Sequence, residues 1–485
     1  MFFKRLLAGL QRDDDQAELL READFDRKVE AVCARFYEKD GTAGRPSIPP
    51  GVYFRMLLIG YFEGIESERG IEWRCADSLS LRHFLGLLPT ERVPDHSSLS
   101  RIRARLDSAV YDAVFGLVLG IVEQKGLLKG KVAGVDSTYL RADASMKSIV
   151  RKDTGQLYQE YLKKLCEEQG IANPTVEDCR RVDRKRKGKK TSNKDWQSKT
   201  DDDARIMRLK DGRTRLSYKA EHVVDMETGA VLAAEIYAAD TGDTSTITPS
   251  LEKARANVDA ATTSETRAAP RGSDDDRDPP SAAPTNGPGD GPSSNEGGAE
   301  KGSTRRVIEV VADKGYHKVE LLRDLAQARY RTYISVPKKN GPYRWVDKGR
   351  LYTQQAYQNN RARVTRDKGK ALLRRRGELL ERPFAHACDT GGLRRVRLRG
   401  RDNVRKRYVV HVAAMNLGLV LRAMLGRGTP RGVAEARKGV LWLIFVLGAM
   451  VAAVRTIADQ LRASRGRPHE AAEGGWYAPL GLVAG

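Results

Sequence analysis

The chain has 485 residues, 40% of them hydrophobic, which is enough to fill two to four domain cores and makes it a folded, multi-part protein. A formal net charge of +22 goes beyond what solubility requires and favours a polyanionic partner, nucleic acid before anionic membrane. Five scattered cysteines without a C-x-x-C pair argue against a disulfide framework or structural zinc and for a reducing cytoplasm, and seven histidines are few for a histidine-based metal site.

The N-terminal run Met1 to Leu10 is apolar but short. It meets Arg12-Asp13-Asp14-Asp15 at once and has no small-residue cleavage site, so it does not read as a signal peptide. Residues 16 to 125 read as helical throughout. Leu19-Leu20, Phe25, Val29, Val32 and Phe36 recur at helical spacing, and the prolines of Arg45 to Pro50 break the chain before a helix over Val52 to Glu63. Ser78 to Gly86 and Pro94 to Leu106 predict two short helices around a turn, the second capped by Asp95 or Ser97. Ser98, Arg101 and Arg105 then share an exposed face, as in a helix-turn-helix recognition helix, and a capped surface helix accounts for the same pattern.

From Lys131 the pattern turns to strands. Lys131 to Leu140 is a β-rich run carrying Asp136 in an apolar context. A basic, helical insertion follows at about 150–200: Tyr158 to Gln169 is amphipathic, and Arg180 to Lys190, with Arg184, Lys185, Arg186 and Lys187 at its centre, suits DNA phosphates or a solvated loop. Tyr218 to Val224, a turn at Asp225 to Gly229, and Ala230 to Ile236 predict a β-hairpin. Between Val258 and Val307 no Val, Ile, Leu, Met, Phe, Tyr or Trp occurs, so a disordered acidic linker is expected there.

Val307 to Ala312 is of strand length, stops at Asp313, and turns through Gly315-Tyr316 into a helix from near Lys318; with Arg331 to Val336 it completes a mixed sheet. Carboxylates in two buried strands are costly unless neutralised, and a divalent cation shared by Asp136 and Asp313 would neutralise both. Residues 366 to 385 read as a helix with one apolar stripe, Leu372, Leu373, Leu379, Leu380 and Phe384. Glu378 can pair with Arg374 or Arg382 at i,i+4, which leaves Glu381 available. Val440 to Val454 is apolar all round but shorter than the ~20 residues that span a bilayer, and reads as a buried core helix.

Several short motifs, in order, resemble the DDE transposases of bacterial insertion sequences. They are Gly134-Val135-Asp136-Ser137-Thr138, Tyr218-Lys219-Ala220-Glu221-His222, Ala312-Asp313-Lys314-Gly315-Tyr316, Glu381-Arg382-Pro383-Phe384-Ala385-His386 and Thr390-Gly391-Gly392-Leu393-Arg394-Arg395. Asn416 to Leu419 and Gly428-Thr429-Pro430 extend the likeness. Upstream, Gly44-Arg45-Pro46 and Pro94 to Arg101 match the group's N-terminal domain.

The resemblance implies an α/β fold: an RNase H-like mixed sheet flanked by helices, preceded by an all-helical N-terminal domain and interrupted by the disordered insertion. The expected division is 1–128 for recognition of DNA ends, 129–257 and 307–412 for the two parts of the catalytic domain, 258–306 for the linker and 413–485 for a C-terminal helical segment. It further implies Asp136, Asp313 and Glu381 as catalytic carboxylates holding two Mg²⁺ ions, with Mn²⁺ able to substitute, and a homodimer acting on terminal inverted repeats and target DNA. The family's glutamate follows an arginine by four positions and precedes a lysine by seven, where this chain has Gly377 and Cys388; Glu378 would restore the arginine as Arg374 but lose the Glu-Arg-x-Phe match. The implied reaction needs no nucleotide, and no G-x-x-x-x-G-K-[ST] loop is present. An inactive, transposase-derived DNA-binding protein and a nuclease without strand transfer remain as alternatives.

Overall fold

Capping and apolar periodicity build the first third of the chain. The structure, a computed structural model, describes residues 15–37, 47–185, 193–209, 211–266, 307–337 and 351–425, all within one compact unit, Leu10–Gly432. Helices α1 (Phe25–Tyr37), α2 (Pro50–Phe62), α3 (Glu68–Ala76), α4 (Leu79–Phe84), α5 (His96–Arg105) and α6 (Ser108–Gln124) follow one another as the periodicity predicts. Proline opens α2, and the side chains of Ser67, Ser78, Asp95 and Asp107 accept backbone N–H bonds at the starts of α3 to α6. α2 is apolar on every side and buried along nearly its whole length, so it serves as the central rod of this helical segment.

The sheet is mixed. β1 (Val132–Arg141) runs antiparallel to β5 (Thr214–Asp225), and β5 is antiparallel to β6 (Val231–Ala238), the predicted hairpin. On its other side β1 is parallel to β7 (Glu309–Ala312), which is parallel to β8 (Arg331–Ile334). Parallel neighbours require crossovers. Helix α9 (Asp243–Thr266) leads out of β6, and α10 (Val319–Gln327) connects β7 to β8. A short strand, β4 (Arg205–Arg208), extends the β5 edge. The chain is therefore an α/β protein with a mixed sheet and N-terminal helices.

The insertion after β1 has a core of its own. Strands β2 (Ile149–Arg151) and β3 (Trp196–Ser198) pair at its base. Helices α7 (Tyr158–Glu168) and α8 (Val176–Lys185) pack through Leu162, Cys166, Cys179 and Val182, with the two sulfurs 3.8 Å apart.

Three helices follow the sheet: α11 (Leu351–Thr365), α12 (Asp367–Ala385), continued by a π-helical turn at His386–Thr390, and α13 (Arg401–Leu425). Asn416 on α13 clips onto β6, accepting from the Val231 N–H at 2.9 Å and donating to its carbonyl at 2.8 Å.

Two expectations change. Residues 258–266, expected in the linker, belong to α9, which runs on to Thr266 with Val258 and Ala261 buried against the core. The division expected between 412 and 413 falls inside α13, one continuous helix. The N-terminal run Met1 to Leu10, Gly44-Arg45-Pro46, Arg186, Lys187, residues 267–306, Gly428-Thr429-Pro430 and the apolar run Val440 to Val454 lie outside the described residues. No described helix is long and apolar enough to cross a membrane.

Candidate active site

The parallel pairing of β1 with β7 sets the site. Gly134 is in register with Val311, and two residues further along the two strands come Asp136 and Asp313. Both carboxylates thus lie at neighbouring strand positions on the carboxyl side of β7, where open α/β sheets hold ligands. Backbone amides orient each of them. Asp136 Oδ1 accepts from the Ser137 N–H at 2.8 Å. Asp313 caps the turn Lys314–Tyr316, its Oδ1 accepting from the Gly315 N–H at 2.8 Å. Glycine fits closely there: a Cβ on Gly315 would lie 3.0 Å from Asp313 Oδ1 and 3.0 Å from Asp243 Oδ2, so a larger residue would have to push one of the carboxylates aside.

Behind the two aspartates is a buried polar network on β5. Glu221, in register with Ser137, accepts from Ser250 Oγ and Thr246 Oγ1 at 2.6 Å and from the Tyr316 hydroxyl at 3.0 Å. Burial raises the Glu221 pKa, against the lowering pull of those hydroxyls and of Lys219. Lys219, fully buried, bonds Asp243 Oδ1 at 2.7 Å and Thr246 Oγ1 at 2.9 Å and lies 3.6 Å from Glu221 Oε2. Asp243 also accepts from Ser137 Oγ at 3.2 Å. The network thereby ties β1, β5 and α9 to the turn that presents Asp313.

One i,i+4 row of α12 covers the Asp136 face of the sheet. Phe384 stacks on His222, the residue paired with Asp136, with ring centroids 4.2 Å apart and planes 7° off parallel. Leu380 fills the space over Gly134, where a Cβ would come within 2.9 Å of it. Arg376 then places Nη1 at 3.6 Å from Asp136 Oδ2. Glu381 follows Leu380 and is turned roughly 100° away from this row; it is exposed. Glu378 is also exposed and pairs with Arg382 at 2.5 Å. The fold brings Asp136 and Asp313 together and leaves both glutamate candidates outside.

Comparison with known families decides the reading. Residues 6–105 match a transposase domain (DUF772), and residues 301–417 match a transposase DDE domain. Both matches support a DDE transposase of an insertion sequence. No curated protein and no solved structure matches the chain. The second match contains Asp313, Arg376, Glu378 and Glu381, whereas Asp136 lies between the two matched segments.

Transposase DDE domains generally use divalent metals, and the donors here fit one in part. Asp136 and Asp313 offer the hard oxygens that Mg²⁺ takes. Among the described residues, however, no group of three His, Cys, Asp or Glu side chains is arranged to hold an ion. The place beside Asp136 is taken by Arg376, whose Nη1 is buried without a hydrogen-bond partner.

The residues expected to contact DNA are spread over two elements. On α5, Arg101 donates to Ser97 Oγ at 3.1 Å and Ser98 Oγ at 3.3 Å, and Arg105 donates to Ser47 Oγ at 3.2 Å with its guanidinium over Tyr37. Ser98, Arg101 and Arg105 line an open groove of about 800 Å³ together with Arg82 and Arg92. Arg184 and Lys185 are exposed at the end of α8. The sequence did not single out Arg376, Asp243 or the Lys219–Glu221 pair for a role. The one available signal was two charges alternating in an otherwise buried strand.

Proposed function

We propose that this transposase binds the ends of its element, cleaves DNA there and joins the freed 3′-hydroxyl to target DNA by direct phosphodiester exchange. The observation that carries the reading is the position of Asp136 on β1 beside Asp313, just past the end of β7, in a six-stranded sheet where β1 has an antiparallel neighbour on one side and a parallel one on the other. That strand pattern also supports an RNase H-like core. In this reading residues 1–128 recognise DNA ends, 129–257 and 307–412 form the catalytic core, and two copies act on DNA.

Asp136 and Asp313 would hold the metal, two Mg²⁺ ions in this reading; Glu381, the third ligand that the resemblance implies, would join them only if α12 rolled to turn it inward in place of Arg376. When bound, the ions supply polarisation of the scissile phosphate and a nucleophile of lowered pKa. The chain's own part is orientation: the Ser137 and Gly315 amides fix the two aspartates, and Glu221, through Tyr316, fixes the turn after β7. Ser98, Arg101 and Arg105 in the groove, with Arg184, Lys185, Arg186 and Lys187, supply phosphate and base contacts.

A second reading, a DNA-binding protein without catalysis, is favoured by one observation: Glu381 is exposed while Arg376 faces Asp136. Plasmid DNA carrying the gene with its flanks separates the two. With Mg²⁺ or Mn²⁺, the catalytic reading expects cuts at the borders that Asp136→Asn and Asp313→Asn abolish, and of Glu381→Gln and Glu378→Gln only the first should be inactive. Flanks that are bound and never cut would leave the DNA-binding reading.

A further inference from the structure

The two edges of β1 are covered differently. β5 pairs along one edge from Ala133 to Arg141, whereas β7 pairs along the other only from Val132 to Gly134. Past Gly134 no described strand takes that second edge, and Asp136 and Asp313 lie where it opens. Residues 394–396 close it again at Arg141. The Arg141 N–H donates to the Arg394 carbonyl at 3.2 Å, and the Val396 N–H donates to the Arg141 carbonyl at 2.9 Å. The bridge is parallel, so this segment continues the line of β7 beyond the two aspartates.

The segment alternates. Val396 is buried and Leu398 half-buried, while Arg395, Arg397 and Arg399 occupy every second position, the last two exposed. Arg141 joins them: desolvation first, and then the nearby Arg215, Arg395 and Arg397, lower its pKa. Five guanidinium groups here share three carboxylates. Arg395 and Arg399 both reach Asp143, at 2.7 and 3.4 Å, Arg397 reaches Glu66 at 3.0 Å, and Arg215 reaches Asp211 at 3.7 Å. Arg141 is exposed and has no ion pair among the described residues. Surplus like charges gathered along one edge repel one another, and a polyanion laid over them relieves the repulsion.

The same strip touches the helical segment. Glu66, the partner of Arg397, lies just before α3, and Glu68 of α3 bonds Ser100 and Arg103 of α5.

We propose that Arg141, Arg215, Arg395, Arg397 and Arg399 form a track for the phosphate backbone of duplex DNA, leading from the opening at Asp136 and Asp313 towards the helices that carry the α5 groove. The identity of the polyanion rests on the transposase reading. Guanidinium forks suit phosphate oxygens, and contacts to phosphate set the register of a duplex without reading its sequence. Arg141 is five residues beyond Asp136, roughly 17 Å along the strand, which is the length of about five base pairs.

Binding of a duplex of the gene's border to the full-length protein, measured without metal over a series of salt concentrations, tests the track. Arg141→Gln and Arg397→Gln should each weaken binding about tenfold and lower the slope of log affinity against log salt by about one. Arg397→Lys should keep the slope, and Arg323→Gln on α10 should behave as wild type. In phosphate-ethylation interference, Arg141→Gln should lose a contact about five nucleotides from the border. If Arg397→Gln disturbs the fold through Glu66, the exposed Arg141→Gln decides alone. Equal slopes in wild type and Arg141→Gln overturn the track, and leave the transposase reading in place if the wild type cuts the borders. A slope lowered in Arg141→Gln, in a protein that never cuts, upholds the track and sinks the catalytic reading.

Discussion

His222 lies opposite Asp136 on β5, stacked against Phe384 and sharing a 2.7 Å hydrogen bond with the Tyr408 hydroxyl. Full burial pushes its pKa down to about 3. The folded protein therefore holds this ring neutral where the unfolded chain, with a pKa near 6.5, takes up a proton. Stability is fully present above about pH 6.5 and falls as pH drops towards 3, because the unfolded state binds more protons there. From pH 6.5 to pH 5, His222 alone removes about 2 kcal/mol. His411 is shifted in the same direction by burial. Urea denaturation at the two pH values should show the loss in wild type and a smaller one in His222→Gln; equal losses would contradict the assignment.

Glu221 offers a second test at this scale. Its carboxylate takes three hydroxyl bonds and neighbours a fully buried lysine. Glu221→Gln leaves Lys219 with Asp243 as its only carboxylate, and by the usual cost of breaking a buried pair should lose about 3 kcal/mol. Unchanged denaturation would show that the network does not hold the strand. The Tyr218 to His222 motif was readable as a pattern. Its purpose was not, since only the fold reveals that Tyr316, 95 residues away, shares the Glu221 oxygen.

Among the elements, α12 divides what was legible from what was not. Its span and apolar stripe follow from periodicity, and the helix found runs Asp367–Ala385. Its orientation over the sheet does not follow. The row Arg376, Leu380 and Phe384 faces β1 and β5, so an arginine and not a glutamate reaches Asp136. Spacing places Glu378 and Glu381 on the helix surface, and nothing local says which surface is inner. The helical ending at 258–266 went unread for a similar cause. Val258 and Ala261 are enough to bury the last part of α9, and a scan for large apolar residues passes over so small a face.

The fit of α12 on β1 can be probed through Gly134. A Cβ there would come within 2.5 Å of Met226 Sδ and 2.9 Å of Leu380 Cδ2. Gly134→Ala must therefore push helix or hairpin away, at about 1–3 kcal/mol for an overpacked core. The loss should appear as a lowered denaturation midpoint, and in a double-mutant cycle with the smaller Leu380→Ala the two losses should be less than additive. A variant as stable as wild type would mean that α12 packs more loosely than described.

For the whole molecule, the helical start and the strand sequence are enough to read an α/β protein, and the basic charge is enough to expect a nucleic-acid partner. They do so because hydrophobic period and net charge are properties of the chain itself. The candidate site is half legible for the same reason: a carboxylate within a β-rich run, Asp136, and one that closes another, Asp313, stand out in the pattern, whereas a third ligand on a helix depends on how that helix is rolled. The association of the helical segment with the sheet also lies beyond sequence. It is made by contacts such as the Arg405 guanidinium, which reaches Glu235 on β6 at 2.7 Å and Asp112 on α6 at 2.8 Å.

The central claim is that the strand pair Asp136 and Asp313 exchanges phosphodiester bonds. The most direct measurement supplies the full-length protein with a pre-cut duplex of the gene's border bearing a free 3′-hydroxyl, a supercoiled target plasmid and Mg²⁺, and scores joined molecules. The account predicts joining by wild type, none with chelator, and a loss of about a thousandfold or more in both Asp136→Asn and Asp313→Asn, in line with removal of an essential electrostatic group. Joining that survives either substitution, or a wild type that holds the pre-cut end and never joins it, would contradict it.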